Sequence, residues 1–234
     1  MGLSSLLSPY ERLLSRIRKS AGSPDLPDDL RPFYERPMPS GQASVWNVPF
    51  TSIDFETTGL DFDEDIVISL GGVSFDGPSI DYETAFHTLL RVDGSKIKPE
   101  SAIVNMITPE QLASGMEPRE AMLKLMDALA GGLVLTHCST IEYHFLKKAL
   151  GLPDFLELPM AFADTMQLER AITGYREGVD VRLSSIRQRL GLPSYEAHNA
   201  CADSIATAEV FLAQSRELFR KRPPSVSEVF RRSH

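Results

Sequence analysis

Two carboxylates on one apolar strand constrain this chain more than any other feature of it. The stretch Ser52-Ile53-Asp54-Phe55-Glu56-Thr57-Thr58-Gly59-Leu60 reads as a strand running into a glycine turn. Side chains alternate across a strand, so Asp54 and Glu56 project from one face with Cα atoms roughly 7 Å apart, while Ile53 and Phe55 point the other way. Buried negative charge is costly unless something positive neutralises it, and hard oxygen ligands suit a divalent cation. The pattern sets up a metal site, beside the blander reading of an edge strand whose polar face meets water.

The 234 residues allow one domain of ordinary size plus appendages, and 42% hydrophobic content is enough to fill a core. No apolar run is long enough to span a bilayer, and the N-terminus lacks a basic-then-apolar signal layout, so a soluble, cytoplasmic protein without a membrane partner is expected. Two cysteines, Cys138 and Cys201, cannot build a disulfide framework and lack zinc-site spacing; they read as small buried residues. The net charge of −8 argues against coating nucleic acid by bulk attraction. Its distribution says more: residues 1 to 20 carry +3 and residues 216 to 234 carry +4, leaving −15 between them. An acidic body with basic ends fits a metal-dependent enzyme acting on a polyanion, and also an ordinary acidic protein.

Ser8-Pro9-Tyr10-Glu11 has the form of a capping box, and Tyr10, Leu13, Leu14 and Ile17 follow at helical spacing, predicting a short amphipathic helix over about residues 9 to 19. Five prolines between residues 22 and 41 predict a linker or extended arm rather than a packed element. A three-stranded antiparallel meander is expected from the opening strand, residues 65 to 75 and residues 79 to 92, with a turn at Asp76-Gly77-Pro78. Thr108 should cap a helix that starts at Pro109, and residues 118 to 130 form another, ending at Gly131-Gly132. Leu133-Val134-Leu135 is a short buried strand, followed by helices at about 140 to 150, 165 to 173, 183 to 190 and 199 to 220. Strands first and strands alternating with helices afterwards indicate an α/β sandwich around a mixed sheet. The division expected is an N-terminal helix and Pro-rich arm (1–45), a central domain (46–220) and a mobile basic tail (221–234).

Three further places answer the opening strand, each at an element end: Glu142 near a helix start, and His198 and Asp203 at the start of the last long helix. Asp-Phe-Glu-Thr-Thr-Gly-Leu at 54 to 60, a carboxylate five residues after His137, and His198 followed by Asp203 resemble the three exonuclease motifs of the DnaQ-like 3′–5′ exonucleases, in the DEDDh subgroup with histidine in the third motif. Proofreading epsilon subunits of bacterial replicative polymerases belong to that family. The resemblance covers roughly residues 47 to 215.

That resemblance implies an RNase H-like three-layer fold, a five-stranded mixed sheet flanked by helices, and two-metal phosphodiester hydrolysis. Asp54 would bridge two Mg²⁺ or Mn²⁺ ions, with Glu56 and Asp203 on one and Glu142 serving the second; His198 would be the general base. Thr57, Thr58 and Leu60 would line the pocket for the terminal nucleotide, and Asn105 stands where the family commonly has a histidine that helps hold substrate. Two more departures are Glu142 in place of aspartate and Cys138 in place of asparagine. The implied activity releases nucleoside monophosphates from the 3′ end of single-stranded DNA or short RNA. A polymerase or other protein partner would dock through the N-terminal helix or the C-terminal tail. The alternative is a catalytically weak or inactive nucleic-acid-binding scaffold of the same fold.

Several residues also have purely structural readings. Ser139-Thr140-Ile141-Glu142 is itself a capping box, so Glu142 could only close a helix start. Asp164 suits a helix cap, His137 a strand end, His144 a partly exposed helix position, and Asp61, Asp63, Glu64 and Asp65 a solvated turn.

Overall fold

The computed structural model describes residues 7–93, 107–195, 197–220 and 222–234. Five strands form one mixed sheet: β1 (Phe50–Thr57), β2 (Val67–Asp76), β3 (Ser79–Leu89), β4 (Leu133–Thr136) and β5 (Ala161–Asp164), in the order β3-β2-β1-β4-β5. The first three are the expected antiparallel meander, turning at Gly77, whose positive φ the glycine accepts without strain. β4 then pairs parallel to β1, and β5 parallel to β4. A parallel neighbour needs a crossover, and helix α4 (Pro118–Leu129) is part of the first.

Alternation along the strands divides the core into two. Ile53, Phe55, Val134 and Phe162 point to one face, where α4, α5 (Thr140–Ala149) and the arm residues Leu26, Leu30 and Phe33 cover them. Phe50, Leu133, Leu135, Ala161 and Ala163 point to the other, under α1 (Pro9–Ala21), α8 (Ala200–Phe219) and α9 (Val226–Arg232). Short helices complete the fold: α2 (Arg31–Tyr34), α3 (Pro109–Ala113), α6 (Thr165–Ile172) and α7 (Leu183–Arg189). This is the RNase H-like three-layer arrangement.

The capping signals hold at the starts of α1 and α3. Ser8 and Glu11 cap α1 reciprocally, and Thr108 with Gln111 does the same for α3. Two expectations about the chain ends do not hold. The arm is packed: a 3₁₀ turn at Asp28–Leu30 and α2 bury Leu30 and Phe33, because the prolines sit at helix starts and turns while the apolar residues between them face the core. The predicted mobile tail carries α9, opened by a Ser225–Glu228 capping box, with Val226, Val229 and Phe230 buried against α1. Tyr10 and Phe230 meet edge to face at 5.5 Å, and the Tyr10 hydroxyl donates to Pro39 O at 2.9 Å.

One glycine decides how the sheet meets the last long helix. Gly71 of β2 lies opposite Asp54 of β1 in register. A Cβ there would stand 2.3 Å from the backbone of Ala200 and Cys201, which cannot yield. The missing side chain lets the first turn of α8 descend onto the sheet beside Asp54. Ser52 Oγ donates to Ser204 O at 2.8 Å and fastens the same contact. No helix among the described residues is long and apolar enough to cross a membrane.

Candidate active site

Asp54 and Glu56 lie on the face of β1 that turns toward α8, near the strand's C-terminal end. The close approach at Gly71 brings Asp203, in the first turn of α8, to meet them. One carboxylate oxygen from each of Asp54, Glu56 and Asp203 lies within 4.8 Å of the others. They form the floor of an open cavity of about 810 Å³, whose lining also includes Thr57, Thr58, Leu60, His137, Glu142, Arg182, Tyr195 and His198. The cavity sits at the C-terminal ends of β1 and β4, where the open side of an α/β sheet ordinarily receives a ligand.

Geometry removes the capping reading of Glu142. The expected capping box is absent: Ser139 makes no side-chain cap bond and instead donates its hydroxyl to Asp164 Oδ2 at 3.2 Å. Glu142 is 2% exposed, and its Oε2 has no hydrogen-bond partner among the described residues. An orphaned buried carboxylate oxygen facing other carboxylates is the condition that a cation relieves.

The electrostatics agree. Burial first, then Glu142, Asp203 and Glu56, hold the Asp54 carboxyl well above the usual carboxylate range. Burial and then Asp203 push Glu56 up to about 7. Burial likewise raises Glu142, with the Asp164 and Glu56 charges adding to it. Carboxyls that resist ionising through burial and through one another's charge are a set of hard oxygen ligands that could hold a cation. The donor set, all carboxylate oxygens, suits a hard divalent cation rather than a thiolate-seeking metal.

Neighbouring residues fix the rim. Asp164 is the helix cap expected of it, accepting from Met166 N at 2.9 Å, and its oxygens also take the backbone N–H groups of Cys138 and Ser139 at 3.0 and 2.9 Å. That clamp sets the start of α5 and thereby aims Glu142. Cys138 holds a positive φ of 73° in this turn, a conformation that asparagine adopts more readily. His137 accompanies the strand end as expected, with Nδ1 2.8 Å from Thr165 Oγ1, and burial lowers its pKa. Thr57 donates to Gly59 O at 2.7 Å, and Thr58 donates to Asp65 Oδ1 at 2.8 Å, so both hydroxyls shape the turn that carries Leu60. Leu60 is 69% exposed at the rim. Asn105 lies outside the described residues.

Two expectations need correction. Asp65 is not part of a solvated turn: it is 2% exposed, accepts from Thr58 and from Asp61 N at 3.0 Å, and lies so close to Gly59 that a Cβ there would fall 2.3 Å from its carboxylate. The cysteines are free and half-buried rather than buried, each beside the start of a helix.

Three residues escaped the sequence reading. Tyr195 donates its hydroxyl to Asp203 Oδ1 at 2.5 Å, and Arg187 lies with its guanidinium 4.9 Å from the Tyr195 ring centroid. Arg182, the sole lysine or arginine lining the cavity among the described residues, is exposed and forks onto Asp180. None stands at a spacing that marks chemistry. Gly71-Gly72 inside a strand was a readable sign of close backbone approach. His198 is exposed, holds a positive φ of 67°, and donates its backbone N–H to Asp203 Oδ2 at 2.8 Å.

Comparison with known proteins agrees with this geometry. The RNase T exonuclease family model matches residues 51–211. The PolC-type DNA polymerase III of Thermotoga petrophila is 31% identical over 178 residues, spanning 74% of this chain but 12% of that polymerase. The DNA polymerase III epsilon subunit of Treponema pallidum is 29% identical over 165 residues, covering 70% of this chain and 75% of that subunit. The chain thus spans only a small part of the PolC-type relatives. Among solved structures, exonuclease X in complex with 5′-overhanging duplex DNA superposes with a TM-score of 0.62 at 17% identity, covering 79% of this chain and 99% of that one. Escherichia coli exonuclease I in complex with a dA16 oligonucleotide gives 0.63 at 16%, covering 73% and 41%, and at such identity the likeness shows the fold alone. With the family model spanning both the carboxylate strand and the helix that meets it, this chain belongs to the RNase T-type exonuclease family.

Proposed function

We propose that the chain is a metal-dependent 3′–5′ exonuclease that releases nucleoside monophosphates from the 3′ end of single-stranded DNA or short RNA. The observation that carries this reading is the convergence of Asp54, Glu56 and Asp203 within 4.8 Å on a cavity floor, with the orphaned Oε2 of Glu142 in the same cavity. A protein named 3′-5′ exonuclease DinG, from Staphylococcus epidermidis, is among the relatives, 24% identical over 163 residues, which supports the direction.

Asp54, Glu56 and Asp203 would hold one Mg²⁺ or Mn²⁺ ion, and Asp54 with Glu142 a second. When bound, such a pair stabilises the attacking and leaving oxygens of an in-line displacement at phosphorus. The chain's own residues do the rest. His198, exposed at the rim, takes the proton that the attacking water loses as its oxygen bonds to phosphorus. The bond to the 3′ oxygen of the penultimate nucleotide breaks, and that oxygen takes a proton from solvent. Leu60 offers an exposed apolar surface against which the terminal base can pack, and Thr57 and Thr58 hold the turn that presents it.

The relatives named as polymerase III subunits support association with a replicative polymerase. The apolar face of α1 is occupied within this fold by Tyr10, Leu13 and Ile17, so docking through α1 would use its exposed basic face, with Arg12, Arg18 and Lys19.

The test is hydrolysis of single-stranded DNA and RNA oligonucleotides labelled at the 3′ or the 5′ end, in Mg²⁺, Mn²⁺ or EDTA. Stepwise shortening from the 3′ end that needs metal is the expected result, and the better substrate identifies the sugar. Intact oligonucleotide in every lane would leave a binding scaffold as the reading.

A further inference from the structure

Asp203 differs from its fellow carboxylates in how firmly the chain holds it. Its Oδ2 accepts the backbone N–H groups of His198 at 2.8 Å and Asn199 at 3.2 Å, and its Oδ1 accepts the Tyr195 hydroxyl at 2.5 Å. Glu142, by contrast, leaves an oxygen without a partner among the described residues. The backbone bonds pin one end of the Asp203 carboxylate, and the phenol fixes the rotation of the other.

Tyr195 is itself held. Arg187, 4% exposed, stacks its guanidinium on the tyrosine ring and donates to Pro193 O at 2.9 Å, in the same loop as Tyr195. It also donates to Ala206 O at 3.1 Å and to Glu209 Oε2 at 2.7 Å, both on α8. One buried cation thus fastens α7, Pro193 and Tyr195 of the following loop, and α8, and the aromatic ring spans from that cation to the carboxylate.

We propose that Tyr195 is a positioning residue for the cation site: its hydroxyl, set by Arg187, keeps the Asp203 carboxylate turned toward Asp54 and Glu56. This rests on the metal-dependent reading of the cavity. Each carboxylate oxygen has two lone pairs, so Oδ1 can accept the phenol and still face a cation. Outer hydrogen bonds of this kind orient metal ligands and are worth on the order of ten- to a hundredfold in metal affinity.

Isothermal calorimetry of Mn²⁺ binding to the metal-free full chain, wild type against Tyr195→Phe, is the test. The substitution keeps the stacked ring and removes only the hydroxyl. The expected result is a dissociation constant about tenfold higher, with oligonucleotide hydrolysis restored to within about twofold of wild type by excess Mn²⁺. A variant that binds Mn²⁺ as tightly as wild type overturns the inference. So does one that is unfolded in EDTA, or one whose rate stays low at saturating Mn²⁺, since both show a role other than ligand positioning. Wild type that binds no Mn²⁺ would instead contradict the metal-dependent reading itself.

Discussion

At the cavity floor, Asp54, Glu56 and Glu142 are held above the usual carboxylate range, and Glu142 keeps an oxygen unpaired. Where α1 meets α9, the reverse holds: both helices open with complete capping boxes, and Tyr10, Leu13, Val229 and Phe230 fill the space between them. Both regions are packed, yet only the second is locally consistent. The floor is costly to the metal-free fold, whereas the annex at the chain ends is stabilising by itself. Departure from local rules marks the site, and agreement with them marks the support.

The largest expected effect separates the two outright. Asp54→Ala should slow hydrolysis about a thousandfold, or about 4 kcal/mol of barrier, while the metal-free protein stays folded. Loss of the fold would mean that Asp54 is structural. Phe230→Ala should do the opposite, costing about 3 kcal/mol of stability from a lost buried ring and leaving the rate of the folded fraction within about twofold. A rate that collapses along with the melting curve would tie the annex to the chemistry.

The next effect concerns pH. Glu56 is raised from 4.5 to about 7 in the fold, so its contribution to metal-free stability is present below about 4.5 and is lost as pH rises toward about 7. In EDTA, the melting temperature of wild type should therefore decline relative to that of Glu56→Gln across this window. Parallel curves would show that Glu56 ionises normally. The smallest effect is expected at Arg182, which is exposed and already paired with Asp180. Arg182→Ala should raise the KM for an oligonucleotide about threefold, in line with the modest worth of exposed charges, with kcat unchanged. A fall in kcat would place Arg182 in the chemistry.

The sequence was most informative where periodicity and chemistry coincide. The carboxylate pair on β1, the caps of α1 and α3, and the long helix carrying Asp203 all follow from local pattern. β5 was not located, because Ala161-Phe162-Ala163-Asp164 is four residues with no β-branched side chain, a strand only by virtue of its pairing with β4. The ends misled for a related reason: prolines and arginines advertise mobility, but Phe33, Val226 and Phe230 decide the packing. Tyr195 and Arg187 were silent because what matters about them is a distance across a loop rather than a spacing along it.

The most direct test of the account compares melting temperatures of wild type and Asp54→Asn, metal-free and with Mn²⁺. Removing one ionisable carboxyl from a crowded floor should make the metal-free variant melt higher than wild type, and Mn²⁺ should reverse that order by stabilising wild type far more. A metal-free variant that melts lower than wild type, or wild type that Mn²⁺ leaves unmoved, would contradict the claim that these carboxylates are gathered for a cation.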